Sequence, residues 1–322
     1  MASAVLTLST NVDLDTALRA TAASLSFARS IISITVTVTE RGQWLTDDKL
    51  VDLLIRCPYL RVFVLQRWTF KELSADSLTR LADHDALRYI THWTIGSKGA
   101  LSVSSMFSLL SLMPSLRSLH FGAVTDEGLA AMDSPVSLPT PACRLQELVV
   151  SDDLSIDFVH YPQLLSNSHD TLEYLKLSWI KTFDKPVEVA LVQAIAPCTR
   201  LRSIESIGNT IPAPSLITAC TQLECLALTH PPLKPEIAAF ARHGARLREL
   251  RLVRLHHGDD LDQLDTYWFD LEDALSQLPS VRVLRLLFKG DISERSQGCY
   301  ALAVAECERR RIDLFTSVDK GR

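Results

Sequence analysis

Glycine is scarce in this chain, and its glycines never fall in the spacing that phosphate-binding loops use. Only 11 of the 322 residues are glycine, and no Gly-x-Gly pair occurs. Dinucleotide and nucleotide sites need glycine-rich loops that bring the backbone against phosphate, so we expect neither. The His-Glu-x-x-His and Gly-x-Ser-x-Gly motifs of metallopeptidases and serine hydrolases are also missing. The sequence therefore predicts a protein that is not an enzyme and that uses no cofactor.

Long apolar runs and export signals are missing as well. No stretch approaches the roughly 18 uninterrupted apolar residues of a transmembrane helix, so no membrane association is expected. Residues 1–14 have no Lys or Arg before their apolar residues, which makes a poor signal peptide. Seven cysteines, an odd number spread widely along the chain, are typical of reduced thiols. We expect a protein of the cytoplasm or nucleus.

Charge of one sign is never concentrated enough for a nucleic-acid surface. The net charge of -5 comes from 33 Lys and Arg against 38 Asp and Glu, which are spread along the chain. A protein whose main partner is a nucleic acid needs a dense basic surface to neutralise phosphates. We therefore expect no nucleic-acid partner.

What the chain does contain is a phrase that recurs along most of its length. An aliphatic residue precedes two variable residues, a second aliphatic, one variable residue and a third aliphatic, as at 60–65 and 116–121. Ten copies begin at positions 31, 60, 87, 116, 145, 172, 201, 223, 247 and 281, and a degraded copy lies near Ile312. Their intervals of 22 to 34 residues indicate repeats that are stable only when stacked on one another.

Between the phrases the hydrophobic period changes from about 2 to about 3.6 residues, which is typical of a helix. The clearest case is 261–278, where apolar residues are spaced three and four apart. Asp260 and Gln263 supply a start signal and Pro279 a stop signal, so we predict an enlarged helix there. Its other face is acidic and is either simply solvated or a docking surface for a basic partner. Each repeat is thus a helix followed by a short strand.

The phrase and its period resemble those of leucine-rich-repeat proteins, particularly the ribonuclease-inhibitor-like repeats and the repeat regions of fungal F-box proteins. The resemblance covers about 31–315 and implies an α/β solenoid, a horseshoe with a concave parallel sheet and convex helices. We expect an N-terminal cap at 1–27, a solenoid of about ten to eleven repeats at 28–316 and a tail at 317–322. The Asn that follows the phrase in the family survives only as Asn209, and we see no F-box before the repeats.

The resemblance also implies a function. It points to a monomeric protein-protein interaction scaffold, and many family members are substrate-recognition modules of ubiquitin ligases. An alternative is a small-molecule-sensing receptor that uses the concave face, as some F-box repeat proteins do. The expected partner is another protein.

Two residue types recur beside the apolar positions. Cys57, Cys198 and Cys220 come three residues before a phrase, and Cys143 comes two before. They lack the paired spacing of a zinc site, so we predict no metal and interpret them as small buried residues at the helix-to-strand corner. An Arg at the second phrase position is either a basic ladder for an acidic ligand or an architectural feature that covers the sheet edge. It stands at Arg61, Arg88, Arg117, Arg202, Arg248 and Arg282.

The exposed strand positions are the candidate binding site. Strand side chains alternate between the two faces, so phrase positions three, five and seven should face the concave surface. Aromatic residues and Arg on such a surface are typical binding anchors, although some of them could instead pack on neighbouring strands. The predicted partner-binding residues are Tyr89, Trp93, His120, Tyr174, Lys176, Trp179, Glu249, Arg251 and Arg285.

Overall fold

Two compact units of parallel strands and helices make up the chain. The computed structural model describes residues 3–37, 45–67, 72–98, 101–122, 124–125, 138–151, 160–178, 185–207, 213–228, 242, 245–256, 271, 275–276, 278–289 and 297–319. The first unit is Met1–Leu172 and the second is Glu173–Arg322. In the described part of the chain, no helix has both the length and the apolar character that crossing a membrane would require.

Within its described residues, the first unit carries six parallel strands that pair in chain order. They are β1 (Ala4–Leu8), β2 (Ile31–Thr37), β3 (Val62–Arg67), β4 (His92–Lys98), β6 (Ser118–Phe121) and β8 (Glu147–Ser151). Two short strands, β5 (Leu101–Ser102) and β7 (Val124–Thr125), form a separate parallel pair. The helices in the part of this unit that the structure describes are α1 (Asn11–Ala23), α2 (Leu25–Ser30), α3 (Asp47–Arg56), α4 (Ala75–Asp83), α5 (Val103–Ser111) and α6 (Tyr161–Leu164).

The second unit repeats this arrangement, with six further parallel strands in chain order among the residues described there. They are β9 (Tyr174–Ser178), β10 (Ser203–Ile207), β11 (Cys225–Leu228), β12 (Glu249–His256), β13 (Val283–Lys289) and β14 (Asp313–Asp319). Its described helices are α7 (Lys185–Ile195), α8 (Ala213–Ala219) and α9 (Gln297–Arg310). The predicted α/β class with parallel strands is therefore confirmed for each unit.

The register of the strands explains the recurring phrase. Equivalent positions of the phrase lie opposite one another on neighbouring strands. At the fourth position Leu226 lies opposite Leu250, and at the sixth position Leu228 lies opposite Leu252. All four of these side chains are buried. Because side chains alternate along a strand, the positions between them lie on the other face of the sheet. Each repeat thus contributes apolar side chains to one continuous core within its unit.

Helices α1 to α5 begin where a hydroxyl group caps them. Thr46, Ser74 and Ser102 precede α3, α4 and α5, and each side chain accepts a hydrogen bond from the backbone N–H three residues on. Thr10 and Asp13 form a complete capping box at α1. These bonds satisfy N–H groups that have no partner within the helix, so each helix starts at that residue. The helices pack on their neighbours, α1 on α3 and α3 on α4.

Three cysteines lie at corners between a helix and a strand, Cys57 after α3, Cys198 after α7 and Cys220 after α8, and Cys143 precedes β8. All four are buried free thiols, which confirms that they are small buried residues before the strands. Burial raises the pKa of the Cys57 thiol to about 12, so the thiol stays protonated at neutral pH. The carbonyl of Cys57, like those of Cys198 and Cys220, accepts a hydrogen bond from the first residue of the following phrase. Among the described residues no group of three or more His, Cys, Asp or Glu is placed to hold a metal ion.

In one copy of the phrase the structure has a different frame from the one that the sequence predicts. The third copy begins at Ile90 rather than at Leu87, because Trp93 lies opposite Phe63 in the paired strands. Leu87 is buried at the corner, and its carbonyl accepts the Ile90 N–H at 3.2 Å. The error arose because Leu87, Ile90 and Trp93 are all apolar and three residues apart, so two frames fit the phrase.

Strands also occur in the segments expected at the two ends. β1 lies within the expected N-terminal cap and pairs with β2, and β14 continues to Asp319 within the expected tail. The predicted enlarged helix at 261–278 lies outside the described residues, apart from 271, 275–276 and 278. Of these, Leu271, Leu275 and Leu278 are buried, which agrees with a spacing of four and three along one helix face.

Candidate partner-binding surface

The second unit presents two rows of side chains on the sheet face opposite its core. Because the strands are in register, each row takes one residue from every strand. The first row, named here the charged row, consists of Lys176, Glu205, Ala227, Arg251, Arg285 and Phe315. The row beside it consists of Tyr174, Ser203, Cys225, Glu249, Val283 and Asp313.

Five side chains from these rows form one charge network. Lys176 Nζ lies 3.0 Å from Glu205 Oε2, and Arg251 Nη1 lies 3.3 Å from Glu205 Oε1. Glu249 Oε1 accepts hydrogen bonds from Arg251 Nε at 2.8 Å and from Arg285 Nε at 2.5 Å. The fold thus brings four of the predicted binding residues together, with Glu205 as the bridge between two of them.

Arg251 reaches Glu205 across an intervening strand because β11 has only a small side chain there. Glu205, Ala227 and Arg251 are in register on β10, β11 and β12. A longer side chain at Ala227 would occupy the path between the two charged groups. Ala227 and its neighbour Cys225 are themselves buried, although their rows face away from the core, since the network lies over them.

The network has more positive than negative charge. It contains three cations and two carboxylates, so one positive charge is uncompensated within it. A hydrogen bond from Arg251 lowers the pKa of Glu249, and one from Arg285 adds to this against the opposing effect of burial. Among the described residues, Arg285 Nη1 and Nη2 have no hydrogen-bond partner. The excess positive charge is therefore available to a ligand at β13.

A cavity of about 380 Å³ opens on this face at β12, β13 and β14. Arg251, Arg285 and Phe315 line it from the charged row, and Val253 and Leu287 line it from the next row along the strands. The Arg285 guanidinium carbon lies 4.6 Å from the centre of the Phe315 ring, within the range of a cation–π contact. Cationic donors and apolar walls therefore meet at one exposed place.

In the first unit, His120 belongs to a smaller polar cluster. His120 Nε2 lies 3.2 Å from Ser118 Oγ and 3.4 Å from Glu147 Oε1, and Ser118 Oγ donates to Glu147 Oε2 at 2.6 Å. A Ser–His–acid nucleophile requires the serine and the acid on opposite nitrogens of the imidazole ring. Here both lie at Nε2, so this cluster does not have the geometry of such a triad. It is a polar contact between β6 and β8.

Two predicted residues of the first unit do not lie on the exposed sheet face. Tyr89 lies at the corner before β4, 46% exposed, with its ring 5.9 Å from that of Tyr59. Trp93 is fully buried, with 0% of its surface exposed, so the prediction that it faces a partner is wrong. Both errors follow from the shifted frame. With the phrase beginning at Ile90, Tyr89 precedes the phrase, and Trp93 occupies its fourth position, which faces the core.

Other predicted and missed residues complete the comparison. Trp179 lies outside the described residues, and Tyr174 lies half-buried on β9, in register with Ser203. Phe315 was missed because the last copy of the phrase has Arg311 and Thr316 at apolar positions, so its frame was unreadable. β14 pairs with β13, and this pairing places Phe315 opposite Arg285, a predicted binding residue.

The recurring Arg has an architectural role in at least two repeats. Arg117 Nη1 and Arg282 Nη1 each donate to the carbonyl of the residue before them, at 3.1 Å in both cases. The guanidinium thereby satisfies a carbonyl of the helix-to-strand corner. Arg88 does not occupy this position, which in the third repeat belongs to Thr91.

Comparison with known proteins does not add a family to this picture. No sequence model of a protein family matches the chain, and no curated protein was found to match it. What the chain shows is two α/β units of parallel strands with helices, and in the second an exposed sheet face with a continuous charge network.

Proposed function

We propose that this chain is a protein-binding scaffold and that the exposed sheet face of the second unit is its contact surface. The charge network beside Phe315 is the observation that supports this most. Ion pairs hold its long side chains in place before binding, so less conformational entropy is lost when a partner docks. Arg and aromatic side chains are also the commonest anchors of protein interfaces.

The proposal includes the finer assignment expected from the sequence. Parallel strands in chain order, joined through similar corners, favour a leucine-rich-repeat solenoid of the ribonuclease-inhibitor-like kind. On that assignment the chain is a monomer of the cytoplasm or nucleus that binds rather than catalyses. It would act as a substrate-recognition module of the kind that F-box repeat proteins supply to ubiquitin ligases.

A second candidate function is the sensing of a small molecule. The cavity at β12, β13 and β14 supports it, since 380 Å³ falls at the lower end of the roughly 300–1,000 Å³ typical of small-molecule sites. A thermal-shift screen with small organic acids tests this function, because a ligand that binds only the folded state raises the melting temperature. No shift with any acid would remove it.

Affinity purification with mass spectrometry tests the leading proposal. Wild-type protein is compared with a variant that carries Tyr174→Ala, Lys176→Gln and Arg285→Gln, three changes on the exposed face. We expect proteins recovered specifically by the wild type to be lost with the variant. Equal recovery of the same proteins by both would show that the contact surface lies elsewhere.

A matched control separates surface changes in general from changes on this face. Val189 on α7 and Leu302 on α9 are exposed apolar residues of the same unit, 53% and 47% exposed. The variant Val189→Ala with Leu302→Ala should keep full recovery. Circular dichroism and melting of all variants establish that each is folded.

A further inference from the structure

Arg285 offers an unused part of its guanidinium group to the cavity at β12, β13 and β14. A guanidinium has five N–H donors in a fixed plane. Glu249 takes up only the Nε of Arg285, and within the described chain its Nη1 and Nη2 groups have no partner. A carboxylate can accept two parallel hydrogen bonds, one on each oxygen, from the Nη1 and Nη2 groups of one guanidinium. The cavity therefore contains donors arranged for a carboxylate.

The charges around these donors favour an added anion. One oxygen of Glu249 accepts from both Arg251 and Arg285, so two guanidinium groups are held beside each other by a single atom. Glu205 is shared between Arg251 and Lys176 and does not reach Arg285. An incoming carboxylate would neutralise the excess positive charge and relieve the repulsion between the two arginines.

The apolar walls distinguish a peptide from an inorganic ion. Val253, Leu287 and Phe315 line the cavity beside the arginines, and Phe315 is 48% exposed. An inorganic ion gains nothing from apolar surface, whereas the methylene groups of a glutamate side chain are removed from water there. The low local polarity also strengthens the ion pair that forms.

The size of the network indicates a ligand longer than one residue. It extends from β9 to β13, which is four strand spacings, or about 19 Å. An extended peptide of about six residues spans the same distance. Such a peptide could place one carboxylate in the cavity and another opposite Lys176, whose side chain is 31% exposed.

From these observations we infer that the cavity at β12, β13 and β14 binds a carboxylate of an acidic segment in the partner protein, with Arg285 as the principal donor. The inference rests on the proposed function and names the chemistry of the partner. Arg251 assists as the second cation, and Phe315 supplies the apolar wall.

A labelled hexaglutamate peptide is the probe, and its fluorescence anisotropy is followed with the full chain at low salt. We expect saturable binding that weakens as salt screens the charges, and no binding of a hexaglutamine peptide. Arg285→Gln should weaken hexaglutamate binding about tenfold, the usual effect of losing an interface anchor. Arg202→Gln is the matched control, because Arg202 loses the same charge in the same unit but pairs with Glu224 outside the cavity.

Several results would overturn the inference. They are no binding of hexaglutamate by the wild type, equal binding by Arg285→Gln, or an equal loss with Arg202→Gln, which would show a general charge effect. Competition by free glutarate as strong as that by the unlabelled peptide would assign the cavity to a small acid instead. If Arg285→Gln does not unfold cooperatively, Arg285→Lys must weaken binding severalfold, since lysine keeps the charge but lacks the planar pair of donors.

These outcomes are separable from those of the proposed function. Partner recovery with the variant Tyr174→Ala and Lys176→Gln alone tests the exposed face without altering the cavity. Loss of recovery there, together with no hexaglutamate binding, supports the scaffold and removes the acidic ligand. Full recovery there and with Arg285→Gln removes the scaffold surface, whatever the peptide does.

Discussion

Gly96 shows, at the scale of single residues, how closely two strands of this protein approach one another. A Cβ atom at Gly96 would lie only 2.4 Å from the backbone oxygen of Gln66. Backbone cannot move aside as a flexible side chain can, so Gly96→Ala should lower the free energy of unfolding by about 1–3 kcal/mol. Urea unfolding measures this, with Thr94→Ala on the same strand as a control that removes atoms. Wild-type stability in Gly96→Ala would contradict the close approach.

Trp93 and Tyr89 lie four residues apart in the chain but have opposite expected roles. Trp93 is in the core, so Trp93→Ala should cost roughly 3–5 kcal/mol of unfolding free energy. Tyr89 is exposed, so Tyr89→Ala should change it by less than about 0.5 kcal/mol. Chemical denaturation measures the free energy of unfolding of the two variants. If Trp93→Ala were the more stable variant, the phrase would begin at Leu87, as the sequence predicts, and not at Ile90.

Alternation along the strands was enough to find Lys176, Glu249, Arg251 and Arg285 from the sequence. It was not enough to pair them, because the contact between Arg251 and Glu205 depends on the small Ala227 between their strands. Register between strands follows from the aligned phrases only where every copy is read in the correct frame.

At the scale of elements, neighbouring repeats are linked through the starts of their helices. Asp47, the first residue of α3, accepts hydrogen bonds from the Ser74 N–H and the Ser77 hydroxyl at the start of α4, both at 3.1 Å. Burial alone would raise the pKa of Asp47, but the hydrogen bonds outweigh it and hold that pKa below its ordinary value of 3.8. The ionised carboxylate thus stabilises the α3–α4 contact.

Asp47→Asn should therefore lower the free energy of unfolding by about 1 kcal/mol at pH 7, a modest figure because water screens a half-buried charge. Since the folded-state pKa is the lower one, this stabilisation is present above the unfolded pKa near 3.8 and is lost as pH falls through the folded value. Urea unfolding of both proteins at pH 7 and at pH 3 checks this. A difference that stays constant would show that shape, rather than charge, makes the contact.

The bridge across β11 gives a second test at this scale. A double-mutant cycle with Glu205→Gln and Arg251→Gln should give a coupling energy of about 0.5–1 kcal/mol in the wild type. In an Ala227→Leu background the coupling should fall to near zero, because the leucine separates the two groups. The same coupling energy in both backgrounds would mean that the contact between Arg251 and Glu205 does not depend on a small side chain at Ala227.

The strands at the two ends of the chain were harder to recognise than the inner ones. By register, β1 has only the small Ala4 opposite Ile31, the first apolar position of the phrase, and β14 has Arg311 at the first position and Thr316 at the sixth. Among the described strands β1 pairs only with β2 and β14 only with β13, so fewer of their positions need apolar side chains. The phrase degrades for that reason, and a search for it finds the inner repeats first.

At the scale of the whole molecule, the two units share a strand arrangement but differ in what their exposed faces carry. In the first unit the row equivalent to the charged row is Thr7, Thr35, Val64, Thr94, His120 and Val149. It holds no carboxylate and no Lys or Arg, whereas the second unit holds four charged residues there. This difference is the reason that the contact surface is assigned to the second unit.

Site-specific photo-crosslinking tests that assignment most directly. A photoreactive amino acid replaces Ser203 or Ser317, which lie beside the charged row on the exposed sheet face, and Val189 or Leu302 on the helices as controls. Crosslinked proteins are then identified by mass spectrometry after irradiation in cells. We expect the same partner to crosslink from both sheet positions and from neither helix position. A partner captured from Val189 or Leu302 but not from Ser203 or Ser317 would contradict the assignment.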